Sequence, residues 1–344
     1  MNRATGMMAR AVLAGGAAVA GREALGRLRE ADLSGQVAVI TGGSRGLGFL
    51  LAGEFAREGC RVVICGRGAV DLARAQRALE ERGARVLAIQ CDVADRAQVE
   101  RMLEEVRSMH GQVDILVNNA GIIQVGPVEA MTLHEFEQAH AVMFWGTVYP
   151  TLAVLPQMLE RRSGRIVNIT SVGGKVSVPH LLPYNCAKFA AVGFSEGLAA
   201  EVGSKGVQVT TIAPGPMRVG SYPNITVSGN HAQEYAWFGL AASLPFLSLD
   251  GERAARQIVR AVKRGERERI LSTQATVLAR FHGLFPGTTV HIMGVVDRLL
   301  PEPDATVNAS IPARDMEARL DSPVWRAVTF LGRRAQRKYQ QHEE

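Results

Sequence analysis

Tyr184 and Lys188 stand four residues apart in a stretch that reads as a helix from Pro183 to Val202, so both side chains fall on one helix face. A tyrosine with its ordinary pKa of about 10 is a poor acid or base at neutral pH. A neighbouring ammonium favours the phenolate and draws the hydroxyl towards a useful range. Ser171 comes thirteen residues before the tyrosine, just past an apolar run, and its hydroxyl can hold a carbonyl or alcohol oxygen. The bland alternative is a surface tyrosine and lysine on an ordinary helix; the other motifs of the chain weigh against it.

A second constellation lies near the start. Val37–Thr41 is a short apolar run suited to a buried strand. It leads into Gly42-Gly43-Ser44-Arg45-Gly46-Leu47-Gly48, then into a helical pattern (Phe49, Leu50, Ala52, Phe55, Ala56) that stops at Gly59. Glycines let the backbone turn sharply and approach a ligand, and a helix N-terminus offers free N–H groups to phosphate. A glycine string alone is weak evidence; its strand–turn–helix setting strengthens it.

Positioning both groups takes a regular alternation. Strands are expected at Arg61–Cys65, Arg85–Ile89, Val113–Val117, Arg165–Thr170 and Val207–Ile212, with a seventh option at Arg269–Leu271. Helices are expected at Ala69–Arg82, from an Asp95 cap to His110, over Thr132–Glu160 with interruptions near Pro150 and Pro156, and over Asp250–Arg264. Such spacing implies right-handed crossovers and a parallel sheet, with ligands at the carboxyl ends of the strands. The expected fold is α/β, a Rossmann-type doubly wound sheet in a single domain over 35–272, with an N-terminal extension (1–34) and a C-terminal extension (273–344).

Composition sets outer bounds. The 344 residues are 47% hydrophobic, enough for a real core, and the net charge of +6 is dispersed. No long basic block interleaved with aromatics is present, which argues against nucleic acid. Cys60, Cys65, Cys91 and Cys186 include no CxxC pair and read as reduced thiols of a cytoplasmic protein; no cluster has metal-ligand spacing. Met7–Gly21 is apolar but shorter than the roughly 20 residues of a membrane span. With Arg22–Glu30 it reads as an amphipathic helix packed on the domain, with peripheral membrane contact as the sharper option.

Together, Thr41–Gly48, Asn118-Asn119-Ala120-Gly121, Ser171, Tyr184-Asn185-Cys186-Ala187-Lys188 and Pro214-Gly215 resemble the short-chain dehydrogenase/reductase family, in its order and spacing, over about Leu33–Leu271. The resemblance implies an NAD(P)-dependent oxidoreductase acting on a small-molecule carbonyl or alcohol. Tyr184 would be proton donor or acceptor, Lys188 would tune it and bind the nicotinamide ribose, and Ser171 would orient the substrate. Gly42, Ser44, Arg45, Gly46, Leu47 and Gly48 would hold the phosphates. Asp92 and Val93 would contact adenine; Asn119, Ala120 and Gly121 would support the ribose; Pro214 and Gly215 would back the nicotinamide. Asn118 and Asn168 read as structural ties. Where an NAD enzyme of this kind usually carries an acid after its second strand, this chain has Gly66 and then Arg67. With Arg45 in the turn, two guanidinium groups suit a 2′-phosphate, so NADP(H) is expected over NAD(H).

Two departures stand out. Met143 occupies the place of a family asparagine that kinks its helix and holds a water, which a thioether cannot do comparably. Val219 stands where a threonine often follows the Pro-Gly turn, with Ser221 as a substitute. These favour a rival reading, a nucleotide-binding scaffold without turnover, while the intact Ser171, Tyr184 and Lys188 oppose it. The insertion Met217–Leu249, with Tyr222, Tyr235, Trp237, Phe238 and Phe246, and the apolar segment Thr276–Leu300 are expected to wall a deep pocket for bulky hydrophobic substrates. The resemblance also makes a homo-oligomer an option.

Overall fold

The computed structural model describes residues 30–303, 310–317, 319–320 and 322–341. The helix expected over Met7–Glu30 lies outside them, apart from Glu30, whose carboxylate accepts from Arg264 Nε at 3.0 Å.

Seven strands form one sheet: β1 (Val37–Thr41), β2 (Arg61–Gly66), β3 (Val86–Gln90), β4 (Ile115–Asn118), β5 (Gly164–Ile169), β6 (Val207–Pro214) and β7 (Glu268–Leu271). The order is β7-β6-β5-β4-β1-β2-β3, and every pairing is parallel. The chain therefore winds outward from β1 in one direction and from β4 in the other. The crevice between their carboxyl ends is the switch point where such sheets bind ligands.

Period-two alternation divides the core. Ala38 and Ile40 face a layer made by α1 (Gly46–Arg57), α2 (Ala69–Glu80) and α8 (Gly251–Lys263). Val37 and Val39 face α3 (Arg96–His110), α5 (Gly146–Glu160) and α6 (Leu182–Val202). The inner strands are buried on both sides, so they read as continuous apolar runs, whereas the edge strands β3 and β7 are only half-buried. Asp95 caps α3 by accepting from the Gln98 N–H at 3.1 Å, as expected of an aspartate before an apolar-periodic stretch.

The long helix expected over Thr132–Glu160 differs in where it breaks. It consists of α4 (Leu133–His140), a π-turn at Ala141–Trp145, and α5, which runs through both Pro150 and Pro156. The irregularity sits around Met143, not at the prolines. Residues 133–160 are also apolar and long enough to cross a membrane. Here Val148, Thr151, Val154 and Met158 are buried along α5, with Val154 and Met158 in the core beneath the sheet.

The insertion after β6 carries α7 (His231–Ser243) and short strands, one of which, Thr226–Val227, lies between Gln124–Val125 and Ile311–Pro312 in a three-stranded sheet. Tyr222 and Tyr235 do not wall a pocket. They are fully buried in a satellite core with Trp325, Leu181 and Ile225. Phe246 lies on the surface. The pair α9 (Thr273–Leu284) and α10 (Pro286–Asp297) is also largely open, with Val277, Leu284, Phe285, Val295 and Leu299 exposed. After α11 (Pro323–Val328), α12 (Phe330–Lys338) folds back, and Ala335 and Tyr339 join the core beneath α1.

Candidate active site

Ser171 follows the end of β5, and Tyr184 and Lys188 project from the first two turns of α6. Ser171 is buried and its Oγ accepts from the Gly173 N–H at 3.0 Å, which fixes the loop leading to α6. The Ser171 hydroxyl lies near the Tyr184 phenol and favours its ionised form. Lys188 Nζ donates to the carbonyl of Ile169, the last residue of β5, at 2.9 Å, and lies 5.8 Å from the centre of the Tyr184 ring. The three residues therefore share one end of β5.

The electrostatics differ from expectation. Burial pushes the Tyr184 phenol above its ordinary value, and the nearby Ser171 hydroxyl only partly offsets this. Burial also brings Lys188 down to about 8. Desolvation disfavours the charged form of each group. Tyr184 is thus held as a neutral proton donor near pH 7, beside an amine whose charge changes close to the working range.

No sequence motif marks Gly173. A Cβ there would lie 2.7 Å from Asn185 Oδ1 and 3.2 Å from Tyr184 Cε1, so the tyrosine ring rests on a bare backbone. Asn185 in turn donates to Val178 O at 2.7 Å. Met143 is buried with Ala139 and Ala187 in a cluster that Tyr184 packs against, and it touches the position of Gly121. Its carbonyl accepts from Thr147 Oγ1 at 2.9 Å. Helix irregularity, part of the work attributed to the family asparagine, is supplied here by the π-turn, a feature frequent at functional sites.

The glycine turn closes over the end of β4. Gly42 has φ +63°, and a Cβ there would lie 2.9 Å from Ala120 Cα; a Cβ on Gly48 would run into the Gly42 carbonyl. Asn119 Nδ2 donates to the carbonyls of Thr41 (3.0 Å) and Gly42 (3.2 Å), and the N–H groups of Asn119 and Ala120 both donate to Thr41 Oγ1. Asn118 Nδ2 donates to Asn168 Oδ1 at 2.8 Å and to Thr151 Oγ1 at 2.9 Å, and Asn168 continues to Ser195, so these two amides tie β4 to β5 and α6. Val93 packs closely on Gly146, and Asp92 Oδ1 accepts from the Ala94 N–H at 3.0 Å. Gly215 donates to Leu271 O at 3.4 Å, next to Pro214 at the end of β6. Val219 turns into the core instead of towards the cleft.

These residues fit a dinucleotide. The α1 N-terminus faces the switch-point crevice, and the N–H groups of Leu47 and Gly48 have no partner among the described residues. At the end of β2, Gly66 lies against Ser44, with Arg67 exposed beyond it. The charges there include two residues not identified from the sequence. Asp71 at the start of α2 pairs with Arg74 (2.6 Å) and, more loosely, with Arg45 (3.9 Å). Three guanidinium groups against one carboxylate leave the corner net positive.

Another cluster emerged only in three dimensions. His180, at φ +60° and buried, is bonded through Nδ1 to Glu234 Oε1 at 2.7 Å, and Glu234 Oε2 accepts from Trp237 Nε1 at 2.7 Å. It fastens α7 to the residues just before Tyr184. No local pattern signals it, because its members are 54 positions apart.

Comparison with known proteins agrees with this geometry. The family model described as short chain dehydrogenase matches residues 36–226. A putative oxidoreductase, SadH, of Mycobacterium tuberculosis is 35% identical over 261 residues, covering 73% of this chain and 92% of that protein. A short-chain dehydrogenase structure from Streptomyces avermitilis superimposes with a TM-score of 0.66 at 30% identity, covering 77% of this chain and 98% of the other. The structure of an actinorhodin polyketide ketoreductase with NADPH gives 0.62 at 28% identity, covering 70% and 97%.

Proposed function

The chain belongs to the short-chain dehydrogenase/reductase family and is an oxidoreductase of alcohol and carbonyl groups, and from that premise we propose that it is an NADP(H)-dependent reductase of bulky, hydrophobic carbonyl compounds. The observation that carries the reading is the meeting of Ser171, Tyr184 and Lys188 at one end of β5, with Lys188 fixed on the Ile169 carbonyl, at the same sheet end as the glycine turn.

Gly42–Gly48 would receive the phosphates, with Leu47 and Gly48 donating. Asp92, Val93, Asn119, Ala120, Gly121, Pro214 and Gly215 would line the remainder. When bound, the dinucleotide supplies or takes up the hydride. Ser171 and Tyr184 hydroxyls orient the substrate oxygen and stabilise negative charge developing on it. In reduction Tyr184 gives its proton to that oxygen. Lys188 is positioned to stabilise the resulting phenolate, and its pKa of about 8 lets it exchange a proton near neutrality. A raised tyrosine pKa suits reduction near pH 7, and the reverse reaction gains as pH rises.

Preference for NADP(H) rests on Arg45, Arg67 and Arg74 against the lone Asp71, with Gly66 where an acid would repel a 2′-phosphate. The ketoreductase neighbour, whose structure contains NADPH, supports it. Preference for apolar substrates rests on the two apolar clusters that Tyr184 packs against, one with Ile122, Val142 and Met143, the other with Ile123, Val178 and Trp237. We place the enzyme in the cytoplasm; peripheral lipid contact or self-association would fall on the exposed side chains of α9 and α10.

The test is nucleotide oxidation over carbonyls of graded size, with NADPH and NADH, for the native chain and Arg67→Ala. The reading expects NADPH turnover that rises with apolar bulk, and a loss in Arg67→Ala confined to NADPH. Equal loss for both nucleotides would remove Arg67 from the 2′-phosphate site. NADPH binding without turnover of any carbonyl would favour the scaffold reading.

A further inference from the structure

We infer that Gln341 is a positioning residue of the cofactor site, the buckle of a C-terminal strap that ties the glycine turn to the loop after β6 and must open for nucleotide exchange; this rests on the dinucleotide-binding reading above. After α12 the chain turns at Gln340, which adopts φ +61°. The carbonyl of Tyr339 then accepts from the Gly46 N–H at 2.8 Å. Gln341 Nε2 donates to Val219 O at 3.0 Å, and its Oε1 accepts from Asn224 Nδ2 at 2.7 Å. Arg74 reaches the Gln340 carbonyl at 3.5 Å.

This is a built contact. Gln341 is 7% exposed and Tyr339 5%. A polar amide is buried at such a place only when its donors and acceptors are matched, and the Gln341 amide is bonded at both ends. The turn is shaped to receive it, because a Cβ on Gly46 would collide with the Gln341 amide. Further back, Gly220 is bare where the backbone of Gln336 passes, and Lys338 pairs with Glu252 of α8.

The position of the strap sets its effect. Of the N–H groups that open α1, it takes that of Gly46 and leaves those of Leu47 and Gly48 to a phosphate. It joins the turn after β1, which the reading above places at the phosphates, to the loop after β6, whose first residues, Pro214 and Gly215, it places along the cofactor. A bond from one to the other holds both walls at their spacing and retains what lies between them. Such a strap slows entry and exit of the nucleotide without touching the reacting atoms, so it acts on cofactor KM and release, not on the chemical step.

The experiment uses the full chain and three variants, Gln341→Ala, Gln341→Leu (which keeps volume) and Gln341→Glu (which keeps the acceptor for Asn224). NADPH release is followed by stopped-flow fluorescence, with KM and kcat measured at saturating carbonyl. Loss of the clamp should speed release about tenfold in the Ala and Leu variants and raise the NADPH KM similarly, the scale of one or two net hydrogen bonds. Gln341→Glu should fall between, and kcat should hold or rise. Unchanged release in variants with native melting temperatures would make Gln341 a mere cap and overturn the inference. Tighter NADPH binding in Gln341→Ala would mean that the tail blocks the site, and would overturn it too. Failure of the native chain to bind NADPH or NADH would instead refute the dinucleotide reading beneath it.

Discussion

Lys188→Met should make the protein more stable at neutral pH while abolishing turnover. Lys188 is buried, and burial alone lowers its pKa from 10.5 to about 8. At about 1.4 kcal/mol per pKa unit, keeping it charged in the fold costs about 3 kcal/mol. Methionine preserves the length of the side chain and removes the charge. It also removes the charge-assisted bond to Ile169 O at 2.9 Å, worth about 1.5–3 kcal/mol. The net gain at pH 7 is therefore at most about 1.5 kcal/mol. The sign follows from proton counting: between about 8 and 10.5 the unfolded chain binds more protons than the folded one, so native stability rises with pH across that window. At pH 10 the residual penalty is about 1 kcal/mol, and the advantage of methionine should vanish or reverse. Urea denaturation of both proteins at pH 7 and pH 10, without nucleotide, measures this. A variant less stable than the native chain by the same amount at both pH values would refute the reasoning.

Three further outcomes follow from named contacts. Gly173→Ala presses a methyl group on Tyr184 and Asn185, so kcat should fall by about 10²-fold with NADPH affinity unchanged in a fluorescence titration. Asp71→Asn releases Arg45 and Arg74 from their shared carboxylate and should lower the NADPH KM by roughly threefold, the scale of a partly exposed ion pair, without helping NADH. Met143→Asn puts an amide in a site that is 1% exposed; steady-state rates should change only a few-fold while stability drops by about 1–3 kcal/mol in chemical denaturation. An inactive native protein that this substitution switches on would favour the scaffold reading.

The fold and the chemical groups were legible in the sequence because they rest on local patterns. Val37–Thr41 and most of the six other strands of its sheet are apolar runs closed by turn residues, and Tyr184 and Lys188 are linked by helix periodicity. What escaped depends on contacts between distant segments. Aromatic content at Tyr222 and Tyr235 suggested a pocket wall, but their packing on Trp325 makes them core. Pro150 and Pro156 suggested a break, but the irregular turn lies at Ala141–Trp145. An ammonium beside a phenol suggested a lowered tyrosine pKa; burial, which no local spacing reports, reverses the direction. Asp71, Gly173 and Gln341 carry no motif at all, and only the folded chain brings them to the site.

The central claim is that Tyr184 delivers the proton to a carbonyl oxygen in a chain that binds NADPH. It is tested most directly by single-turnover reduction of a bulky ketone by the native protein and Tyr184→Phe, each with its NADPH affinity measured alongside. The account predicts a loss of about 10²–10⁴-fold in the chemical rate with the affinity retained. A phenylalanine variant that reduces the ketone at the native rate would contradict it.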